Sequence, residues 1–329
     1  MLSIVHVDTE REWRGGQEAL LALARGLRER GHLQRMVCPE GSALAERALA
    51  EGFTVATALR GALIESRAEI LHSHSGRAQN AAFLASRGMN IRRVVTRHVA
   101  FAPRHPWVHR LKYQLTCHGI IAVSNAVCGV LLHSGVPPAK IEVIHTGVEL
   151  PPIRPARMRQ EKFVAGHLGA FTHEKGQDVA IRAAELLPDV HFVLAGDGPL
   201  LAEARKSARV SVSFPGFIQD PSAFYAGLDV FIMPSRSEAW GLAALEAMAH
   251  GVPVIASDVG GLAEIVKPGE GGWLVPPGDA QALASAIAQA ASDPACLRAA
   301  GAAARRRAAL FSQRQTVEQT EAFYLRLSR

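Results

Sequence analysis

Short apolar runs alternate with amphipathic stretches along the whole chain. In the first half, runs rich in Val, Ile and Leu predict six strands, at residues 3–7, 34–38, 70–73, 93–96, 119–123 and 141–144. Between them, stretches such as 17–30, 42–51 and 124–133 place their apolar residues on one face of a helix. This alternation predicts parallel sheets with helices on both faces.

The same pattern restarts after the proline-rich segment 151–155. Six further strands are predicted, at 163–168, 191–195, 210–214, 230–233, 254–256 and 273–275. A chain of 329 residues exceeds what a single hydrophobic core usually accommodates, which favours two domains. We therefore expect one domain at 1–152, a second at 153–311, and a helix within 312–329 that crosses back onto the first.

Two carboxylates flank a glycine after the predicted strand 230–233. Glu238 lies in a short loop, and Glu246 lies in a helix that begins near Gly241. The first N–H groups of that helix have no intrahelical partners and therefore suit a phosphate. The two carboxylates are too far apart for a close acid pair, but they suit the two ends of an elongated ligand such as a nucleotide sugar.

The sequence PSRSEAWGLAALEAM begins at Pro234 and is followed by GVPVIAS from Gly251. Together they resemble the donor site of the retaining GT-B glycosyltransferases of family 4. The resemblance implies an α/β protein with the GT-B fold, in which two Rossmann-like, doubly wound parallel-sheet domains face a cleft. It also implies transfer of a sugar from a nucleoside-diphosphate sugar, with UDP favoured, to an acceptor hydroxyl. Family members work without bound metal, and we expect no cofactor beyond this substrate.

Two further motifs concern the diphosphate. Gly15 and Gly16 follow the first predicted strand, and adjacent glycines let the backbone approach a phosphate where a Cβ would collide. The sequence GAFTHEKG from Gly169 resembles the family pattern Gly-Arg-x-x-x-x-Lys-Gly, whose Arg and Lys bind the pyrophosphate. Lys175 matches the lysine and is expected to stabilise the leaving group, but Ala170 occupies the arginine position. Arg14 and Arg236 are the two candidates to replace that cation.

Other motifs concern the base and the sugar. In the family, loops similar to the one at Phe217 and Ile218 offer backbone groups to the nucleobase. His98 follows a predicted strand, where ligands of doubly wound sheets gather, and the family often has a His here that contacts the donor sugar. The resemblance thus implies three catalytic residues, Glu238, His98 and Lys175. The donor-binding residues that it implies are Gly15, Gly16, Lys175, Phe217, Ile218, Glu238, Gly241, Leu242, Ala243 and Glu246.

Charge is unevenly distributed between the two halves. Residues 1–152 hold 18 Lys and Arg against 12 Asp and Glu, whereas residues 153–329 hold 18 of each class, so the net charge of +6 comes from the first half. The segment 87–112 has seven basic residues, no acidic residue, and Phe101 and Trp107 among them. It suits an anionic membrane surface or glycolipid, although a solvated basic face has the same composition. The acceptor that we expect is an envelope glycan or glycolipid such as a lipopolysaccharide core.

The cellular setting is predicted from the cysteines and the N-terminus. The four cysteines include no CxxC pair, and residues 1–7 form a predicted strand rather than a basic segment before a long apolar one. We therefore expect a cytoplasmic protein, peripheral on the inner membrane face. His72 and His74 share a face of one strand, and we interpret them as a strand-end pair, with no metal predicted.

Other functions have specific sequence arguments. A nucleotide-sugar or glycan-binding protein with lost or weak catalysis is the main alternative, because Ala170 replaces a family arginine. Nucleic acid is not an expected partner, since only the basic segment would favour it. Among enzymes, a GT-B epimerase or a glycan phosphorylase is the next hypothesis, but no convincing lysine site for pyridoxal phosphate is visible.

Overall fold

A computed structural model describes residues 1–100, 105–152, 162–208 and 212–328. The chain divides into two compact units. Unit 1 comprises Met1–Gly147 and Gln313–Arg329, and unit 2 comprises Val148–Ser312. Phe101, Arg104 and most of the proline-rich segment, together with the first residue of the predicted strand 210–214, lie outside the described residues.

Unit 1 is built on a seven-stranded parallel sheet with the order β3-β2-β1-β4-β5-β6-β7. Its elements follow in chain order: β1 (Ser3–Val7), α1 (Gly15–Glu29), β2 (Leu33–Val37), α2 (Ala43–Ala50), β3 (Thr54–Ala56), α3 (Leu59–Glu65), β4 (Ile70–Ser73), α4 (Gly76–Ala85), β5 (Arg92–Arg97), α5 (Pro106–Thr116), β6 (Gly119–Ala122), α6 (Asn125–His133) and β7 (Ile141–Val143). The hydrophobic pattern does not predict β3, because its three residues at the sheet edge are exposed or half-buried.

Unit 2 is built on a six-stranded parallel sheet with the order β10-β9-β8-β11-β12-β13. Its elements are β8 (Phe163–Leu168), α7 (Gln177–Glu185), β9 (Val190–Ala195), α8 (Leu201–Ser207), β10 (Val212–Gly216), α9 (Pro221–Ala226), β11 (Val230–Met233), α10 (Leu242–Ala249), β12 (Val254–Ser257), α11 (Leu262–Ile265), β13 (Gly272–Val275), α12 (Ala280–Ser292) and α13 (Pro294–Ala308). The predicted doubly wound, parallel α/β architecture is confirmed in both units.

The last helix, α14 (Gln313–Ser328), belongs to unit 1 and packs on α1. A Cβ on Gly26 would lie 2.4 Å from Val317, so a glycine in α1 is needed for the two helices to approach this closely. Two turns further along the same face of α14, Tyr324 is fully buried and its hydroxyl bonds the His72 ring at 2.6 Å. The helix therefore completes the core beneath β1 and β4.

In each sheet, the chain adds strands on one side of a central strand and then continues on its other side. This reversal of strand order positions the candidate site. β1 lies between β2 and β4, and β8 lies between β9 and β11. In doubly wound sheets, ligands bind beyond the carboxyl ends of the strands at such a switch point. The loops that follow β1 and β5 in unit 1, and β8 and β11 in unit 2, carry most of the predicted site residues.

Candidate functional site

In unit 2, the loop after β8 brings Lys175 to the switch point. Residues His173–Lys175 form a single 3-10 turn, and Gly176 then starts α7 with a left-handed φ of 69°. A Cβ on Gly176 would lie 2.1 Å from the Pro234 carbonyl oxygen, at the end of β11. This close approach holds the β8 loop against the β11 loop.

The loop after β11 carries Glu238 and is itself held by a glycine pair that the sequence analysis missed. A Cβ on Gly260 would lie 1.9 Å from the Glu238 carbonyl oxygen, and one on Gly261 would lie 2.5 Å from that of Ala239. The Gly261 N–H also donates to the Glu238 carbonyl oxygen at 3.2 Å. The signal was available, because two adjacent glycines follow the predicted strand 254–256, in the same way as Gly15 and Gly16 follow β1.

Lys175 and Glu238 form an ion pair across these two loops. The Lys175 Nζ lies 2.5 Å from Glu238 Oε2. The side chains are only 26% and 12% exposed, respectively, so the pair is partly shielded from water. The structure thus brings the two predicted catalytic groups of unit 2 together, and each neutralises the other in the unliganded chain.

Gly241 allows the sharp entry into α10. It has a φ of 104°, a conformation that residues with a Cβ rarely adopt, and a Cβ here would lie 2.5 Å from Leu262. The N–H groups of Leu242 and Ala243 follow in the first turn, where a helix offers donors with no intrahelical partner. Positive dipole and free donors make this end of α10 suitable for an anion.

Glu246 lies in the second turn of α10 and is oriented by a residue that sequence reasoning missed. The Tyr225 hydroxyl donates to Glu246 Oε2 at 2.8 Å, and Tyr225 is fully buried. Burial, followed by the nearby carboxylate, raises the pKa of Tyr225 well above its usual value, so this hydroxyl keeps its proton. The His250 ring packs on Tyr225 at 5.1 Å between ring centres. Nothing in the local sequence pattern distinguishes Tyr225 from an ordinary core aromatic.

The two candidates to replace the missing arginine are both engaged elsewhere. The Arg236 guanidinium makes two hydrogen bonds to Asp178, at 2.6 and 2.7 Å, and a third to the His173 carbonyl oxygen. This pairing holds the pKa of Asp178 below its usual range. Arg14 forms an exposed ion pair with Glu12. Lys175 and Arg236 thus both lie at the carboxyl edge of the unit 2 sheet, where Lys175 pairs with Glu238 and Arg236 pairs with Asp178.

The loop after β10 presents Phe217 and Ile218 at the carboxyl edge of the unit 2 sheet. Phe217 is 54% exposed, and Ile218 is half-buried. One hydrogen bond holds the start of this loop, because the Gly196 N–H donates to the Gly216 carbonyl oxygen at 2.7 Å. The structure leaves the aromatic face of Phe217 open to a ligand but contains no contact from this loop to Glu246 or Lys175 among the described hydrogen bonds.

In unit 1, Gly15 and Gly16 form the first turn of α1. The loop before them is held by the buried Gln17, which bonds the Asp8 carboxylate and accepts the Arg14 N–H at 3.1 Å. A Cβ on Gly16 would lie 4.0 Å from the His98 ring, so the two predicted residues are neighbours. A Cβ at Gly16 would therefore make only an ordinary van der Waals contact with His98.

His98 follows β5, and its ring is neutral at physiological pH. Burial lowers the pKa of His98 to about 4, although the Asp8 carboxylate acts in the opposite direction. Its Nε2 is buried and has no hydrogen-bond partner among the described residues. A neutral imidazole beside Gly16 can donate a hydrogen bond to a sugar hydroxyl without adding positive charge to the site.

His72 and His74 belong to a larger cluster that also contains His6. All three are buried, and their nearest ring nitrogens lie within 4.8 Å of one another, a spacing that would also admit a metal ion. However, the ring centres of His72 and His74 are 4.0 Å apart, and two imidazoles on one zinc ion would be ~5 Å apart. Sequence reasoning missed His6, which pairs with His72 in the β1–β4 register.

Comparison with known families covers both units. Residues 13–150 match the model for Glycosyltransferase Family 4, and residues 153–307 match the model for Glycosyl transferases group 1. The D-inositol 3-phosphate glycosyltransferase of Mycolicibacterium gilvum is 34% identical over 204 residues, which are 55% of this chain and 45% of that protein. The chain spans about half the length of the curated relatives that it matches.

Solved structures share the fold over the whole chain. Anabaena HepE in complex with UDP and glucose has a TM-score of 0.87 and 22% identity, with 99% of each chain covered. The apo form of the lipopolysaccharide outer core galactosyltransferase WaaB has a TM-score of 0.73 and 14% identity, with 99% of this chain and 100% of that chain covered. The predicted GT-B fold is confirmed. The chain thus has the GT-B fold, and its two halves match the models for Glycosyltransferase Family 4 and Glycosyl transferases group 1.

Proposed function

We propose that this protein transfers a sugar from a UDP-sugar to a hydroxyl of an anionic envelope glycan or glycolipid, with retention of anomeric configuration. The observation that carries the proposal is the arrangement at the carboxyl edge of the unit 2 sheet. Lys175, Glu238, the first turn of α10 and Glu246 all follow the neighbouring strands β8 and β11. Lys175 suits a diphosphate, and Glu238 suits a sugar hydroxyl. The first turn of α10 suits a phosphate, and Glu246 suits the ribose hydroxyls.

The proposed roles follow from the charge that develops during transfer. The bond to the sugar breaks through an oxocarbenium-like state, so negative charge accumulates on the departing diphosphate. We assign the stabilisation of that charge to Lys175 and the α10 N–H groups, and the family resemblance adds Gly15 and Gly16. Glu246, held by Tyr225, accepts hydrogen bonds from the ribose, and His98 donates to the donor sugar.

Retention is implied by the family resemblance of the donor-site motif, and product stereochemistry tests it. The coupling constant of the anomeric proton in the glycoside product is measured by NMR and compared with that of the donor. A product with the donor's anomeric configuration agrees with the proposal, and an inverted product contradicts it.

The anionic acceptor is supported by the composition and the surface of unit 1. Between Glu69 and Glu142 the sequence has nine Lys and Arg and no acidic residue. In the same stretch, α5 exposes a row of apolar side chains at helical spacing, with Trp107 70%, Leu111 49% and Leu115 57% exposed. An apolar helix face within an acid-free basic region suits an anionic headgroup above an acyl layer. Among the described residues, no helix is both long and apolar enough to span a membrane.

Nucleotide binding provides the first experiment. Thermal unfolding is followed with UDP, GDP, ADP, CMP and TDP, because a ligand at 100 times its dissociation constant adds ~2.7 kcal/mol to the free energy of unfolding. We expect a shift with UDP that exceeds those with the other four nucleotides. A larger shift with another nucleotide would change the donor class, and no shift with any would contradict the proposal.

Two glutamate variants separate binding from transfer. Glu246→Ala is expected to weaken UDP binding strongly, whereas Glu238→Ala should retain UDP and lose transfer, because Glu238 is assigned to the sugar. Glu203→Ala, an exposed carboxylate on α8, is the matched control. Equal UDP affinity for the wild type and Glu246→Ala would sink the assignment of the ribose site.

The alternative function is a binding protein without turnover, which Ala170 and the engaged Arg236 favour. Release of UDP from any UDP-sugar, even by slow hydrolysis, supports the enzyme. Nucleotide binding without release from a panel of UDP-hexoses would favour the binding protein.

Membrane attachment is tested with vesicles of phosphatidylglycerol or of phosphatidylcholine. We expect co-sedimentation with the anionic vesicles at low salt, and loss of binding in the double variant Trp107→Ser with Leu111→Ser. The control is Leu310→Ser, an exposed leucine of unit 2. Absence of co-sedimentation with anionic vesicles at low salt would contradict a peripheral location.

A further inference from the structure

Two cations at the carboxyl edge of the unit 2 sheet are each paired with a carboxylate, but they are held differently. The Arg236 guanidinium makes three hydrogen bonds, two to Asp178 and one to the His173 carbonyl oxygen. Among the described hydrogen bonds, the Lys175 ammonium makes one, to Glu238 Oε2 at 2.5 Å. Because a lysine also has a flexible four-carbon stem, Lys175 is the cation that exchanges its partner more easily.

The Glu238 carboxylate has little access to water. Its side chain is 12% exposed, whereas the Asp178 side chain in the other pair is 55% exposed. The Glu238 loop is also fixed in place, since a Cβ on Gly260 would lie 1.9 Å from the Glu238 carbonyl oxygen. A shielded carboxylate is costly without a partner, so Glu238 keeps Lys175 until another hydrogen-bond donor replaces it.

A diphosphate and the Glu238 carboxylate compete for the same ammonium. This step rests on the proposed function, in which Lys175 binds the diphosphate and Glu238 binds a sugar hydroxyl. With UDP alone, Lys175 either leaves Glu238 without a partner or holds two anions close together, and both arrangements cost free energy. With an intact UDP-sugar, the sugar hydroxyls donate to Glu238 and replace the lost partner. The cost therefore applies to UDP and is offset for the UDP-sugar.

We propose that Glu238 is an internal competitor of the diphosphate for Lys175, and that it makes the site prefer the intact UDP-sugar over UDP. After transfer, the sugar hydroxyls leave with the product, and Glu238 pairs with Lys175 again. The ion pair thereby promotes the release of UDP. Glu238 is in this way a specificity-determining residue that discriminates between the donor and the nucleotide that transfer leaves behind.

The first measurement is the dissociation constant for UDP in Glu238→Gln, by calorimetric titration. The amide keeps the size of the side chain and still accepts from a hydroxyl, but it lacks the charge that holds Lys175. We expect the dissociation constant to fall about fivefold, because even exposed ion pairs reach this factor. Glu174→Gln is the matched control, since it removes an exposed carboxylate from the loop that carries Lys175, and its UDP affinity should stay within about twofold of wild type.

A Lys175→Met background distinguishes competition from simple repulsion between Glu238 and the diphosphate. If the two anions compete for the ammonium, Glu238→Gln should change the UDP affinity of Lys175→Met by less than about twofold. An equal gain in both backgrounds would show that Glu238 only repels the diphosphate, and would overturn the proposal. Glu238→Ala removes the same charge and should give the same gain, and thermal unfolding without nucleotide shows that each variant is folded.

The second measurement compares UDP with a UDP-hexose. The UDP-hexose that gives the largest thermal shift is titrated without acceptor. We expect the wild type to bind it more tightly than UDP, and we expect this preference to fall about fivefold in Glu238→Gln. An unchanged preference, or a UDP affinity of Glu238→Gln that does not exceed that of the wild type, would overturn this inference alone. Absence of UDP binding by the wild type would contradict the proposed function and this inference together.

Discussion

The carboxyl edges of the two sheets have the same topology and opposite electrostatic character. In unit 1 the edge is formed by neutral imidazoles. His6, His72 and His74 are buried and bonded to one another or to neutral partners, and the half-buried His98 ring stacks on His74. In unit 2 the edge is formed by formal charges, of which Lys175 and Glu238 are the central pair. One doubly wound framework thus supports two kinds of polar site.

The difference agrees with the proposed roles, in which the charged edge of unit 2 binds the diphosphate and the neutral edge of unit 1 contacts the sugar. A diphosphate requires cations and helix N–H groups, and both occur at the unit 2 edge. A sugar at its reacting carbon becomes positively charged during transfer, so an uncharged donor such as His98 is preferable beside it. The following predictions test this contrast between a charged and a neutral edge.

The largest effect is expected for the charged edge. Lys175→Met removes the cation beside the diphosphate while keeping most of the side-chain volume, and kcat should fall by about 10²–10³. Steady-state kinetics with the UDP-sugar measure the loss. Lys267→Met is the control, since this exposed lysine in unit 2 donates only to the Ala263 carbonyl oxygen among the described hydrogen bonds.

Lys175→Arg sharpens the same comparison. It keeps the charge, and it should recover most of the activity if charge, rather than ammonium geometry, is what the unit 2 edge supplies. A kcat for Lys175→Met within about threefold of wild type would remove the distinction between the two edges.

A smaller effect is expected for the residue that orients Glu246. Tyr225→Phe keeps the ring against His250 and Phe231 but removes the hydroxyl that donates to Glu246. Loss of one hydrogen bond to a charged group is worth ~1.5 kcal/mol or more, so the dissociation constant for UDP should rise about tenfold. Calorimetric titration measures it.

Tyr113→Phe in unit 1 is the matched control for this change. Its hydroxyl accepts a hydrogen bond from Arg97 of the same unit. An unchanged UDP affinity in Tyr225→Phe would mean that Glu246 is positioned by the α10 backbone alone.

The smallest effect is expected for the folding stability of unit 1, which should decrease gradually as the pH falls. Burial lowers the pKa values of His6 and His98 to about 4, and those of His72 and His74 well below the ordinary value of 6.5. Between pH 6.5 and 4 the unfolded chain binds protons that the folded chain does not, so folded stability falls as the pH falls. The stabilisation from these neutral rings is fully present above pH 6.5.

Unit 2 provides the internal reference for this pH effect. In unit 2, burial lowers the pKa of His167 to about 4. The unit 1 edge has four histidines whose pKa values are lowered by burial. Pulse proteolysis across a urea series, read from peptides of each unit at pH 7 and pH 5, should show the larger loss in unit 1. A parallel loss in both units would contradict the contrast.

The architecture could be predicted because strand and helix periods are local properties of the sequence. The runs at 3–7, 70–73 and 230–233 coincide with β1, β4 and β11, since buried central strands of parallel sheets are continuously apolar. The edge strand β3 could not be predicted in this way, because it has only three residues and they are exposed or half-buried. Tertiary pairing with β2, rather than local composition, defines it.

The candidate site was predictable only where a residue stands in a motif. Glu238, Glu246 and Lys175 are marked by their spacing around glycines, and the structure places all three at the unit 2 switch point. Tyr225 and His6 carry no such mark, because their contacts join elements that are distant in the sequence. The roles of the site residues remain predictions.

The contact between Gly260 and the Glu238 loop has a consequence for engineering donor specificity. The loop after β11 packs against Gly260 and Gly261, where any Cβ would collide with the backbone of that loop. A library that randomises only the β11 loop therefore varies one of two segments that are in direct contact. Directed evolution should therefore hold Gly260 and Gly261 constant and explore the positions around them. At this proposed donor site, steric contact between the two loop backbones restricts the allowed residues before the chemistry of their side chains does.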